Sequence, residues 1–118
     1  MQHDSRAYLR DILEAATAIQ AAIVEVTAET YGSNRLIRSA VEREFIIIGE
    51  ALRMISQQAP ELFNRIPEAR QIIDFRNLLT HEYPNISDPI VWGAIQTDLP
   101  LLAQHCAQEI QDLNQEIP

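Results

Sequence analysis

The chain has no lysine, a single cysteine, three glycines and no apolar run approaching the roughly 18 residues of a membrane span. Each absence excludes something. A lone Cys106 cannot close an intramolecular disulfide, so the fold must rest on its core. Few glycines and a hydrophobic fraction of 47% suit helices packed on one another better than a sheet sandwich. No basic segment followed by an apolar leader opens the sequence, so the expected location is cytoplasmic and no membrane partner is expected. There is no glycine-rich phosphate loop, no Cys-x-x-Cys, no Ser-His-Asp constellation and no Glu-x-x-His pair of the kind that holds two metals inside a bundle. Any chemistry is therefore expected to need neither metal nor cofactor. At 118 residues the chain fits one domain spanning positions 1–118, large enough to bury a real core.

A formal charge of −8 argues against broad affinity for nucleic acid, which depends on neutralising phosphates with cations. The cations are unevenly placed, however. Arg35, Arg38, Arg43, Arg53, Arg65, Arg70 and Arg76 make up seven of the nine, while the chain beyond Arg76 carries six acids and no Arg. Arginine is the cation suited to planar, bidentate phosphate contacts. A local basic patch on an acidic body is one reading; for most of these residues ordinary Arg–Glu pairs on exposed helix faces is the other.

Apolar residues recur at three and four from Tyr8 through Ile12, Ala15, Ile19 and Ile23 to Val26, predicting a helix from an N-cap at Asp4 or Ser5 to about Thr27. Tyr31-Gly32-Ser33-Asn34 reads as a break, with Gly32 at C′ and Ser33 or Asn34 as the next N-cap. A second helix over about Arg35–Gln57 carries Ile37, Val41, Phe45, Ile48, Leu52 and Ile55 on one stripe. Ile46 and Ile47 widen it enough to imply two partners, the bundle core and, on the other side, a second protomer. Gly49 inside this helix costs about 1 kcal/mol relative to Ala, which points to a close backbone approach. Glu50 reads first as a solvated surface residue and second as an aid to orienting the chemical end of the molecule. Ala59-Pro60-Glu61-Leu62-Phe63 leads into one short turn, and Ile66-Pro67 opens a helix over about Pro67–His81 that buries Ile72, Ile73, Phe75 and Leu79. Ser87 or Asp88 caps a last helix from near Pro89, carrying Trp92, Ile95, Leu99, Leu102, Cys106, Ile110 and Leu113, with Pro100 expected to kink it. The tail from Asn114 is expected to fray.

The stretch Arg76-Asn77-Leu78-Leu79-Thr80-His81-Glu82-Tyr83-Pro84 gathers the chemistry. Pro84 disfavours helix at Tyr83, so the helix should end near His81 or Glu82 and leave Tyr83 just outside. Asn77 and His81, four apart, share a face, with Arg76 about 100° round from Asn77. The pattern Arg-Asn-x-x-x-His-x-Tyr resembles the signature of the HEPN superfamily and, more narrowly, of HepT-like toxins paired with a minimal nucleotidyltransferase antitoxin. Ile48-Gly49-Glu50-Ala51, Pro60 with Ile66-Pro67, and Val91-Trp92 with Asp98-Leu99-Pro100 fit the same family, so the resemblance covers nearly the whole chain. It implies an all-α, up-and-down bundle of four to five helices that forms a two-fold dimer.

His81 alone could simply interact with helix-terminal carbonyls and the dipole. Arg76 could pair with Asp74, Glu68 or an acid on another helix, Asn77 could cap backbone groups, and Tyr83 could be a half-buried loop aromatic. The resemblance implies more: His81 as general acid–base, Arg76 as the cation facing a developing phosphorane, and Asn77 in support. It also makes Tyr83 the residue to which the partner attaches AMP. His3, and His105 beside Cys106, read as structural or incidental. The implied function is a metal-independent endoribonuclease toxin of a type VII-like toxin–antitoxin pair, acting on RNA through its 2′-hydroxyl. The alternative is a non-catalytic helical dimer that serves as binding partner and modification target of the nucleotidyltransferase, which the acidic charge favours.

Overall fold

Asp4 starts the first helix: its carboxylate accepts from the backbone N–H of Arg6 at 2.8 Å. The computed structural model describes residues 4–81 and 87–115. Within them the fold is all-α, with four long helices, α1 (Ser5–Ala22), α3 (Arg35–Gln58), α5 (Ala69–His81) and α7 (Leu99–Gln115), and three short ones, α2 (Ala28–Ser33), α4 (Pro60–Asn64) and α6 (Asp88–Gly93). The long helices make an up-and-down bundle. α3 is its spine, packed by α1 along one side and α5 along another, with α7 laid on α1.

The first helix stops earlier than its apolar spacing predicts. It ends at Ala22 with Ile23 as cap, and Tyr31-Gly32-Ser33, expected as a break, is helical. The β-branched residues Ile23, Val24, Val26 and Thr27 lower helix propensity. Thr27 also captures local bonds: its hydroxyl accepts from the N–H of Thr30, and the Thr30 hydroxyl accepts from the N–H of Thr27. Gly32 therefore sits inside α2 rather than at a C′ position. The break is Asn34, whose side chain accepts from Ile37 N–H at 3.0 Å and starts α3.

On α3 the expected stripe is buried from Val41 through Phe45, Ile48, Leu52 and Ile55, with Ile37 only half-buried. Ile46 and Ile47 are half-buried against the core. They line a groove of about 390 Å³ with Tyr8 of α1. Ile72, Ile73, Phe75 and Leu79 are buried on α5, and Phe75 meets Phe45 edge-on at 5.0 Å. α5 begins two residues later than predicted, because the Ile66 carbonyl closes a tight turn with Ala69 N–H and the α-helical ladder starts only with Ile72 N–H on the Glu68 carbonyl.

The last helix is interrupted rather than simply kinked. Ala94–Asp98 forms a π turn between α6 and α7, closed by Leu99 N–H on the Ala94 carbonyl. Pro100 explains it: the ring has no N–H and would clash with the carbonyl four residues back, so a wider turn just before it takes up the mismatch. Trp92, Leu99, Leu102 and Cys106 still face inward, and Asn114, expected to fray, lies within α7 and accepts from Arg6 at 3.2 Å.

Candidate functional site

The site begins with a missing side chain. A Cβ built on Gly49 would lie 2.4 Å from Cβ and 2.5 Å from Cγ of Arg76, so only glycine lets α5 cross α3 at this point. That is the close approach expected of Gly49, and the element it admits is the stem of the motif arginine. Laid across α3, the Arg76 side chain is only 22% exposed and its Nε is buried without a hydrogen-bond partner. An unmade bond there costs about 1–3 kcal/mol.

The two terminal nitrogens are held. Nη2 donates to Glu50 Oε2 at 2.6 Å, and Nη1 donates to the side-chain oxygen of Asn77 at 3.0 Å. Glu50 is both things its sequence context allowed: its side chain is 43% exposed, and it is the carboxylate that orients Arg76. The ion pair to an acid on another helix, set out above as the ordinary fate of Arg76, is also present. The two readings are compatible, since a guanidinium has five N–H donors and these two bonds engage one on each terminal nitrogen. Glu50 has a second partner: its Oε1 accepts from Arg53 Nη2 at 3.3 Å. No spacing rule could have found the Glu50–Arg76 pair, because it spans 26 residues, but Glu50 next to a costly glycine was a signal.

His81 is the last residue of α5 and is exposed, five positions on from Arg76. Asn77 bonds Arg76 rather than turning its amide to the imidazole. The single proton of the Thr80 hydroxyl is shared between the carbonyls of Arg76 and Asn77, both at 3.2 Å, which holds the last turn between the two motif residues. Tyr83 and His3 lie outside the described residues. His105 Nδ1 sits 2.7 Å from Glu68 Oε1, a pairing of α7 with the start of α5 that fits a structural role. Among the described residues, no group of His, Cys, Asp or Glu is arranged to hold a metal ion, and no helix is long and apolar enough to cross a membrane.

Residues 12–109 match the profile of the family described as Ribonuclease HepT-like. The chain belongs to the HepT-like family of the HEPN superfamily. A candidate RNase of Methanocaldococcus jannaschii is 33% identical over 99 residues, which make up 84% of this chain and 90% of that protein. The probable ribonuclease HepT of Thermococcus cleftensis is 30% identical over 102 residues, 86% of this chain and 92% of its own. A candidate RNase of Caldanaerobacter subterraneus is 26% identical over 106 residues, covering 90% and 94%. No solved structure matches the chain.

A second polar cluster in this HepT-like fold ties α2, α3 and α6 together. Tyr31 is fully buried, its ring tilted against that of Trp92 with centroids 5.6 Å apart, and its hydroxyl is unpartnered. Arg38 donates to the Gly32 carbonyl and lies 3.9 Å from Asp88. Burial, then the carboxylates of Glu42 and Asp88, push the Tyr31 phenol far above its usual range. Burial and Asp88 likewise raise the Glu42 carboxyl, with Arg38 opposing. Buried Cys106 is pushed up to about 12 by desolvation and by the carboxylates of Glu68 and Glu109, which makes its thiol inert rather than nucleophilic.

Proposed function

We propose that this protein is a metal-independent endoribonuclease, the toxin of a toxin–antitoxin pair, with Arg76 and His81 as its catalytic residues and Asn77 in support. The observation that supports the reading is the hold of Glu50 and Asn77 on Arg76, five residues before an exposed His81 at the end of the same helix. An oriented, permanently charged fork and a group able to exchange protons then belong to one helix end. The names of the relatives as ribonucleases support it. RNA supplies its own nucleophile. One His81 takes the proton of the 2′-hydroxyl, the 2′-oxygen attacks phosphorus, and the bond to the 5′-oxygen breaks. A second His81, in its protonated imidazolium form, gives a proton to that leaving oxygen, yielding a 2′,3′-cyclic phosphate and a 5′-hydroxyl. Arg76 stabilises the extra charge on the phosphorane. Because each chain offers one motif histidine, the acid and the base come from the two protomers of a two-fold dimer.

Purified protein, with Arg76→Ala and His81→Ala beside it, tests the mechanism. Each variant should lose at least about 100-fold in cleavage of an RNA substrate, the lower end of what such groups contribute. Helical content should be unchanged and EDTA without effect. Cleavage by either variant at the wild-type rate, or loss of wild-type activity on chelation, would overturn it.

Control is proposed to act through Tyr83, two residues beyond His81. AMP attached to its hydroxyl by a minimal nucleotidyltransferase partner adds bulk and negative charge beside the pair, competing with substrate phosphate for Arg76. Mass spectrometry of the co-expressed proteins should find AMP on Tyr83, and Tyr83→Phe should cut RNA yet escape silencing. AMP on another residue, or on none, would remove Tyr83 from this role. The charge of −8, and the commitment of Arg76 to Glu50, favour a second reading in which the chain only binds the nucleotidyltransferase and receives its modification. An AMP-accepting wild type that cleaves no RNA would decide for it.

A further inference from the structure

Glu50 holds two arginines at once, one by each oxygen: Arg76 at 2.6 Å and Arg53 at 3.3 Å. A Glu–Arg pair three apart on an exposed helix face is ordinary, but here the other carboxylate oxygen is committed to the partly buried Arg76. The charges do not cancel. One carboxylate between two guanidiniums leaves a net positive unit, on a molecule whose overall charge is strongly negative. Arg53 is also the accessible member, its side chain 48% exposed against 22% for Arg76, and it gives Glu50 only one of its five N–H groups. Two cations on either side of one carboxylate, the first recessed and the second at the surface, suit a polyanion whose charge recurs at every nucleotide.

We infer that Arg53 is a second phosphate-binding residue, which takes the phosphodiester adjacent to the one that Arg76 engages on a single strand of RNA. This rests on the ribonuclease reading for the identity of the strand. The bond to Glu50 fixes the Arg53 guanidinium next to that of Arg76, so the ordering of a long side chain is in part complete before RNA arrives. Base sequence is not read at this position, since the contact is to backbone alone.

The test separates binding from cleavage. Wild type, Arg53→Gln and a control, Arg35→Gln at an exposed position on the first turn of α3, are titrated with a short single-stranded 2′-O-methyl RNA over a range of salt. In parallel, each is assayed for cleavage of an unmodified oligonucleotide and of a dinucleotide that has one phosphodiester. Arg53→Gln should weaken binding several-fold whatever the base sequence and lower the salt slope by about 0.7, the share of one single-strand phosphate contact. Its kcat/KM should fall on the oligonucleotide and hold within two-fold on the dinucleotide, whose only phosphate is at Arg76. An unchanged salt slope, or an equal change in Arg35→Gln, overturns the subsite. An equal fall on both substrates overturns it too, because Arg53 would then act only by steadying Glu50. If the slope drops as expected while wild type cleaves neither substrate, the phosphate subsite stands and the ribonuclease reading fails; no RNA binding by wild type removes both.

Discussion

At the residue scale, the decisive contact is between a glycine and the stem of an arginine. Replacing Gly49 with Ala sets two terms against each other. A helix interior gains about 1 kcal/mol from the change, while overpacking costs typically about 1–3 kcal/mol. The distance decides the sign: at 2.4 Å the new methyl would meet Arg76 Cβ, which is tied to the backbone of α5 and cannot swing aside as a side-chain tip could. Gly49→Ala should therefore lose up to about 2 kcal/mol in urea denaturation and, by shifting Arg76, lose at least about ten-fold in RNA cleavage. A variant as stable and as active as wild type would show that α5 slides freely over α3. The need for a glycine was legible in the sequence, because a costly residue in a helix interior asks for a reason. Its partner was not. Which side chain crosses Gly49, and that Glu50 beside it turns to Arg76, depend on how α3 and α5 are rotated against each other, which no spacing within one helix encodes.

Among the elements, the long amphipathic helices followed from period alone, and the errors fall where local chemistry competes with period. The Thr27–Thr30 capping pair outweighs the apolar spacing that runs on to Val26, and a π turn that period does not encode precedes Pro100. The short α2 that results matters for stability, since it brings Tyr31 down onto Trp92 and sets up the cluster with Arg38, Glu42 and Asp88. Burial and Asp88 raise the Glu42 carboxyl above its ordinary value near 4.5. The folded state thus holds this proton more tightly than the unfolded chain does. Stability is least penalised where Glu42 is protonated in both states, and falls as pH rises from about 4.5 through the raised value. Glu42→Gln, neutral at every pH, should melt higher than wild type at pH 7.5, with the gap closing at pH 4. Thermal melts by circular dichroism at both values check this. A Gln variant that melts lower at pH 7.5, or a gap that does not change with pH, would mean that Arg38 compensates Glu42 fully.

For the whole molecule, the question is how one histidine per chain can supply two proton transfers. The α1–α3 groove bears on it, since Ile46, Ile47 and Met54 line it together with Arg43 and with Glu50, the carboxylate that holds Arg76. The side of α3 next to the site is therefore apolar in part and open. Ile46 and Ile47 were expected to need a second protomer because one core could not bury both; each is partly buried against the core and lines the groove with Tyr8 of α1, which leaves that groove for a partner. A second copy packed there by two-fold symmetry would bring two Arg76–Glu50 pairs towards one another, as the proposed mechanism requires. Sedimentation at micromolar concentration should show a dimer. Arg43→Glu, at an exposed position that leaves the core untouched, should weaken it, because two-fold packing sets reversed charges near both Glu50 carboxylates. Ile46→Glu should split it outright. Cleavage should fall in proportion to the dimer lost and recover for Arg43→Glu as protein concentration is raised. A wild type that sediments as a monomer yet cuts RNA would refute the shared cleft and require acid and base to come from one chain.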